Sequence, residues 1–367
     1  MYVYDRKRFI MTVKYRRIAE DIQKKIIHQE FEVGTMIPPE SKLQEIYQVS
    51  RHTIRQAISL LVEKGYLRAE KGIGTFVLEP QLDSAQNTKT IGVITTYLSD
   101  YIFPKIIEGI EETLRAQGYS MLVGATNNDP VQEEICIQSM LKQGVEGLLI
   151  EPTSSNLFNP NIAYYSKLKE KNIPILFFNA YYDLLDMPYI SIDDSSAGEM
   201  TTQHLITYGH TNITLLTKSD DIQGKLRMKG FIRAHEKNNL TFTMENIIQF
   251  NTHNQKEKIK QFAHQLVIQK NRPSAIVCYN DEVASYLIQQ LEKSNLHVPK
   301  DISIISHDNS YLAKVFRLTS IIHPQKDLGI EAAQNIIDSL EKHKALHTKL
   351  YPPHLKTRES VAKLTVI

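Results

Sequence analysis

The chain has 367 residues, 42% of them hydrophobic, with a formal net charge of +2 and two cysteines. That length allows two or three domains with cores that need no staple, and Cys136 and Cys278 suit neither a disulfide framework nor a zinc site. No apolar run is long enough for a signal peptide or a membrane span, which argues against a secreted receptor and places the chain in the cytoplasm. Residues 1–80 carry 14 Lys and Arg against 10 Asp and Glu, and the remainder carries 29 against 31. A basic head on a slightly acidic body fits a polyanion-binding module joined to a domain for another ligand.

Met11 is a second candidate start, which would leave residues 1–10 as an unstructured extension. Residues 12–29 form a first helix, with Ile18, Ile22 and Ile26 on its inward stripe. Pro38-Pro39-Glu40 opens a short second helix, proline fixing φ and the carboxylate sitting at the positive end of the dipole. Leu43, Ile46 and Tyr47 are its expected buried side. Ser50 then offers an N-cap, and Ile54, Ala57, Ile58 and Leu61 recur at helical spacing. Arg51, His52, Arg55, Gln56 and Ser59 fall on the remaining arc. Two arginines one turn apart near a helix N-terminus suit a recognition helix, because arginine bonds bidentately to a guanine edge or to phosphate. A basic amphipathic helix is also a common solvated surface element, so its surroundings decide. After Gly65 come two β-prone segments, 66–70 and 75–77, around Lys71-Gly72-Ile73-Gly74. They make a hairpin, the wing of a winged helix-turn-helix. The Gly-x-Gly lacks the preceding strand and following helix of a phosphate loop.

The run PPESKLQEIYQVSRHTIRQAISLLVEKGYL followed by GIGTFV resembles the DNA-binding domain of the GntR family of bacterial regulators, from about residue 14 to 78. The resemblance implies DNA contacts from Arg51, Thr53 and Arg55 on the helix and from Gly72, Gly74 and Thr75 on the wing. Ser41 and Ile73 stand where family members often carry arginine. Lys14 and Lys71 are phosphate partners on charge alone.

Residues 80–90 are polar and aperiodic and read as a linker between a DNA-binding domain over 12–79 and a second domain over 91–367. From there strands and helices alternate. Strands are expected at 91–96, 119–125, 145–152 and 173–180, with helices at 103–118, 131–144 and 162–172 between and after them. The rhythm resumes after Asp193-Asp194 with helices at 195–208, 224–238, 255–270 and 281–294, strands at 212–217, 247–250, 274–279, 302–306 and 319–323, and a last helix at 325–343. This alternation predicts an α/β fold of right-handed βαβ units with parallel sheets. The break at 181–189 predicts two lobes with a ligand cleft at the strand C-terminal ends.

The residues just after the strands are those at 97–103, Glu151, Asn179, Asn280-Asp281 and His307-Asp308-Asn309, with Arg227 opening a helix. Carboxylates, amides, arginine and aromatics grip a polyol through paired donors and acceptors. Any one of them taken alone is more economically a turn or cap former; their recurrence at most strand ends carries the reading. IGVITT, FPKIIEGIEETLRAQGYSMLV, IDDSSAGEMTTQHLITYGHTNI, RMKGFIRA and ISIISHDN resemble the effector domain of the LacI/GalR regulators, which shares the two-lobed fold of periplasmic sugar receptors. By position the resemblance implies effector contacts from Tyr101, Phe103, Glu151, Asn179, Arg227, Asn280 and Asp308, with Asn179 standing where that family usually has an aspartate or similar group. No LacI-type hinge helix is apparent. A GntR-type head on a LacI-type body resembles the arabinose-responsive repressors, which implies a homodimer, double-stranded operator DNA as partner, and L-arabinose as effector, with no cofactor and no metal. Another sugar or a sugar phosphate as effector is the alternative within this architecture. An α/β enzyme acting on a sugar is the alternative outside it, and His204, His210 and His264 read as exposed or satisfied helix-end residues rather than catalytic ones. No nucleophile elbow, zinc motif or phosphate loop supports the enzyme.

Overall fold

A computed structural model describes residues 6–27, 30–70, 72–78, 88–99, 101–170 and 172–364, the side chains of residues 6–13 and 27 excepted. The chain divides into two units, Met1–Gln86 and Asn87–Ile367.

The first unit is built from α1 (Arg6–Ile27), α2 (Glu40–Tyr47), α3 (Arg51–Glu63), β1 (Leu67–Glu70) and β2 (Gly74–Val77). Helix α1 begins at Arg6, so residues 6–10 are helical rather than an unstructured extension. No proline or glycine interrupts the run from Arg6, which lets the helix propagate. Ile18, Ile22 and Ile26 pack with Leu43, Ile54, Ala57, Leu61, Leu67 and Val77 in one core. Ile46 is 52% exposed, contrary to its expected burial, because on this two-turn helix Leu43 alone points fully inward. Helix α3 is terminated just past its end by Gly65, whose φ of +73° suits a residue without a Cβ, and the Tyr66 amide donates back to the Leu61 carbonyl. The wing pairs Leu67 with Val77 through Glu70 with Gly74, and residues 34–37 join it as a third strand-like piece through Ile37 N to Thr75 O and Val77 N to Thr35 O.

The second unit runs β3 (Thr90–Thr95), α4 (Phe103–Ala116), β4 (Ser120–Ala125), α5 (Pro130–Lys142), β5 (Gly147–Ile150), α6 (Ile162–Glu170), β6 (Ile175–Phe178) and β7 (Tyr189–Ile192). It continues α7 (Asp194–Thr207), β8 (Ile213–Lys218), α8 (Ile222–Lys237), β9 (Ile247–Phe250), α9 (Gln255–Ile268), β10 (Ala275–Cys278), α10 (Asp281–Glu292), β11 (Ser303–Asp308), α11 (Tyr311–Val315) and β12 (Thr319–Ile322). It closes with α12 (Gln325–Lys342), β13 (Lys349–Tyr351) and β14 (His354–Lys356). Residue 79 and residues 80–87 of the expected linker lie outside the described residues. Thr88 and Lys89 already belong to the second unit, bonding to Gly144 O at 2.8 Å and Glu146 Oε1 at 2.7 Å.

Two six-stranded sheets result, ordered β13-β7-β6-β5-β3-β4 and β14-β12-β11-β10-β8-β9, parallel throughout except for β14. The expected single break at 181–189 is corrected in two ways. Strand β7 still belongs to the first sheet, and the chain crosses between lobes three times. It leaves the first lobe after β7, returns after β12 so that α12 packs on α4, and crosses once more between β13 and β14. Short strands such as β7 and β13 carry too few residues to show a period, so alternation alone missed them. In each lobe two helices meet through paired glycines, Gly109 with Gly329 and Gly198 with Gly230, where a Cβ would strike the facing backbone. In both sheets the first strand of each lobe lies between the second and the third, so each lobe has a topological switch point at which strand ends face a crevice.

Candidate DNA interface and effector pocket

In the first unit Ser50 caps α3, accepting the Thr53 amide at 3.3 Å, and this cap aims the first turn outward. Arg51 and Arg55 are 65% and 58% exposed in their side chains. They share a groove of about 1250 Å³ with Gly72, Ile73, Gly74 and Thr75 of the wing and with Glu40 and Gln44 of α2. The structure therefore brings five of the expected DNA residues to one concavity. Lys14 is exposed on α1 outside that lining, and Lys71 lies outside the described residues. Thr53 departs from expectation. It is 5% exposed, its hydroxyl meeting Ser50 Oγ at 3.0 Å, so it serves the cap and the core instead of the exposed arc.

Glu40 was legible only as a helix opener, yet its carboxylate takes Arg51 Nε at 2.7 Å and Arg55 Nε at 3.0 Å. The Arg51 hydrogen bond, then that of Arg55, outweigh a burial cost and hold its carboxyl below the ordinary value. Pairs this exposed stabilise by only about 0–1 kcal/mol each, so a phosphate or a guanine edge can replace the carboxylate at small cost.

In the second unit a cavity of about 740 Å³ between the lobes is lined by all seven expected effector residues: Tyr101, Phe103, Glu151, Asn179, Arg227, Asn280 and Asp308. Glu151, one residue past β5, is 4% exposed. Its Oε2 accepts from Thr95 Oγ1, Thr96 N and Thr96 Oγ1 at 2.7–3.0 Å, and its Oε1 from Asn179 Nδ2 at 2.7 Å. Burial still pushes its carboxyl up against those donors. Asn179 adopts φ +63°, a left-handed turn that asparagine tolerates, and this turns its amide from the end of β6 toward Glu151. Tyr101 reaches across the cleft, donating to His307 O at 3.3 Å and accepting from Asp281 N at 3.0 Å. Asn280 is cap and candidate contact at once, since its Oδ1 accepts the Val283 amide at 2.9 Å while the residue faces the cavity. Phe103 lies 6.0 Å from the Tyr97 ring, giving the cavity an apolar wall.

Helix α8 begins at Ile222, so Arg227 sits in its second turn instead of opening it. The guanidinium is 5% exposed and held by Asp194 Oδ1 at 2.8 Å, by Asp308 Oδ1 at 3.4 Å and by the Tyr279 carbonyl, with the Tyr279 ring 5.0 Å away. Burial opposes its charge, but Asp194 and Asp308 outweigh burial and push its pKa further up. Burial also lifts the Asp194 carboxyl, to about 6, with Arg227 pulling the other way.

Sequence reasoning missed Asp194, Lys218, Asp221 and Gln223. Lys218 Nζ lies 2.8 Å from Asp221 Oδ2, which also accepts from the Tyr279 hydroxyl at 2.8 Å. Gln223 donates Nε2 to Asn179 O at 3.2 Å across the lobes and leaves its buried Oε1 without a partner at the cavity wall. For Asp221 and Gln223 the signal was present as SDDIQG just after β8, a strand end that periodicity marks. The three histidines behave as expected of non-catalytic residues. His210 is buried between Ser274 Oγ and Ala362 O, His204 lies against Tyr208, and His264 is exposed.

A winged helix presenting two exposed arginines, joined to a two-lobed α/β domain with a polar interlobe cavity, defines a ligand-responsive DNA-binding regulator. The comparisons with known proteins agree. Residues 14–77 match the bacterial regulatory proteins of the gntR family, and residues 202–361 match the periplasmic binding protein-like domain. The arabinose metabolism transcriptional repressor of Geobacillus stearothermophilus is 38% identical over 357 residues, covering 96% of this chain and 98% of the relative. The repressor of the same name from Halalkalibacterium halodurans is 37% identical over 367 residues, with 96% and 98% covered. The solved transcription regulator CcpA of Lactococcus lactis shares the fold of the second unit, with a TM-score of 0.67 at 24% identity over 75% of this chain and 99% of that one. The chain belongs to the arabinose metabolism transcriptional repressors, a family of DNA-binding regulators and not of enzymes.

Proposed function

We propose that the protein is a homodimeric cytoplasmic repressor of arabinose-utilisation genes, released from its operator when L-arabinose occupies the interlobe cavity. Arg51 and Arg55 read or clamp operator DNA, with Gly72, Gly74 and Thr75 of the wing and the exposed Lys14 beside them on the backbone. Two copies place two winged helices on two half-sites, as dimeric readers of this kind do. The observation that carries the effector reading is the convergence of the seven expected groups on one cavity, with the buried Gln223 Oε1 and Ser310 Oγ beside them lacking a hydrogen-bond partner among the described residues. The names of the full-length relatives support arabinose. A polyol offers each hydroxyl as donor and acceptor, which suits the Asn179, Asn280 and Arg227 donors opposite the Gln223 and Asp308 acceptors.

The test is calorimetric titration of the full-length protein with L-arabinose, D-xylose, D-galactose and D-ribose, without and with DNA from upstream of arabinose genes. Saturable binding of L-arabinose alone is the expected result. Because coupling is reciprocal, DNA weakens sugar affinity by the factor by which sugar weakens DNA affinity. Absence of L-arabinose binding overturns the effector assignment, and a monomer in sedimentation with DNA bound overturns the dimer.

A further inference from the structure

Asn179 is the one amide among the seven cavity groups whose side chain is gripped from two directions. Its Nδ2 donates to Glu151 Oε1 at 2.7 Å, and its Oδ1 meets His323 Nε2 at 3.0 Å. His323 stands between β12 and α12, on the segment where the chain returns from the second lobe to the first. The imidazole is 5% exposed, and its Nδ1 is buried without a partner. Asn179 Oδ1 can only accept, so Nε2 carries a proton, and the buried, unpartnered Nδ1 favours a neutral ring without a second one. Burial first, and then Arg227, hold the ring in that form, pushing its pKa down to about 4 although Asp308 pulls upward.

An amide flip at Asn179 would set its oxygen against the Glu151 carboxylate and its NH2 against the His323 N–H, replacing two hydrogen bonds by two repulsions. The backbone is pinned as well, with the Asn179 carbonyl accepting from Ser191 Oγ at 2.9 Å and from Gln223 Nε2 at 3.2 Å. The same crossing segment holds a second site residue, since Gln325 donates Nε2 to Asp308 O at 3.2 Å. Glu151 alone would orient the amide nitrogen. His323 adds the acceptor side and ties it to the crossing.

We propose that His323 is a positioning residue for effector recognition: its Nε2–H locks the Asn179 amide so that the remaining Nδ2 hydrogen meets a sugar oxygen, and it anchors that reading group to the segment joining the lobes. The inference rests on the effector reading of the cavity. It predicts that Asn179 discriminates sugars as a donor, and that the ring acts through hydrogen bonding and not through bulk.

The experiment compares wild type, His323→Gln and His323→Leu in calorimetric titration of the full-length protein with L-arabinose. Glutamine can set an N–H donor near the place of Nε2, whereas leucine keeps bulk without a donor. His323→Leu is expected to weaken L-arabinose binding by about tenfold or more, and His323→Gln to stay within about threefold of wild type. DNA affinity without sugar stays unchanged in both. Leucine binding as well as wild type, or glutamine binding as weakly as leucine, overturns the proposal. Histidine-selective 15N NMR of the sugar-free protein gives a second readout that does not need the ligand. A neutral Nε2–H ring at pH 6 supports the hydrogen bond, and an Nδ1–H or doubly protonated ring refutes it. Failure of wild type to bind L-arabinose sinks the effector reading instead, and the NMR result then decides the geometry by itself.

Discussion

Replacing Arg227 by alanine tests the pocket and its scaffold together. The guanidinium is the shared partner of Asp194 and Asp308, which are 2% and 5% exposed, and it bonds the Tyr279 carbonyl as well. Removing one member of a buried ion pair costs about 3–5 kcal/mol, because the remaining charge keeps its desolvation without its partner. Domain stabilities lie at about 5–15 kcal/mol, so the variant still folds but its second unit melts early. At about 2–4 °C per kcal/mol for a domain of this size, the midpoint falls by roughly 6–20 °C. The loss depends on pH with a definite sign. Without Arg227 the Asp194 carboxyl, already lifted to about 6 by burial, rises further, so its folded pKa lies well above the unfolded value. Such a group destabilises most above its folded pKa and least below its unfolded one, so the penalty shrinks as pH falls from 8 toward 5. Asp194→Asn in the Arg227→Ala background recovers part of the loss. Urea unfolding followed by circular dichroism at pH 7.5 and pH 5 checks this, the chain having no tryptophan. Operator binding persists at 20 °C but no longer responds to L-arabinose. A variant as stable as wild type at pH 7.5, or a deficit that grows toward pH 5, refutes the keystone role of Arg227.

The other predictions concern the DNA face and the buried histidines. Arg51→Ala and Arg55→Ala each weaken operator binding by about 1–3 kcal/mol in gel-shift titration and leave L-arabinose affinity unchanged. Loss of sugar binding in either variant would count against independent units. Glu40→Gln removes the carboxylate that both arginines share, so binding to random DNA strengthens while the ratio of operator to random affinity drops about tenfold, roughly 1.4 kcal/mol. An unchanged ratio in competition binding would show that Glu40 orients neither arginine. His323 and His307 are buried and neutral, burial pushing the first down to about 4 and the second well below its ordinary value. A group depressed in the folded state contributes stability that is full above its unfolded pKa of about 6.5 and is lost as pH falls toward the folded value, at up to ~1.4 kcal/mol per pH unit for each histidine. Raised carboxylates such as Asp194 act with the opposite sign in the same window, so the check is a difference: the stability of wild type relative to His323→Leu falls as pH goes from 6.5 to 4 in urea unfolding, and a difference that stays flat over that window contradicts the buried neutral ring.

What the sequence made legible was whatever is periodic or local. The α3 face follows from Ile54, Ala57, Ile58 and Leu61, and Ser50 caps it as its position required. The strand ends were marked by the change of hydrophobic period, and ligand crevices in parallel sheets open there, which narrowed the candidates; the resemblance to the LacI/GalR effector domain then picked out the seven groups that line the cavity. What stayed hidden is contact between residues far apart in the chain. Glu40 meets arginines 11 and 15 positions away, and His323 meets Asn179 across 144 positions; no window of sequence holds either pair. Thr53 was misplaced for a related reason. Resemblance assigned it to DNA, whereas its place beside the cap and against the core depends on how α3 docks on α1. The three lobe crossings were invisible because they depend on strand pairing partners, β13 with β7 and β14 with β12, which three-residue segments cannot announce. Those crossings are nevertheless what lets His323 and Gln325 touch the site from the joining segment, so the part of the fold least legible in the sequence is the part that ties the effector groups to the link between the lobes.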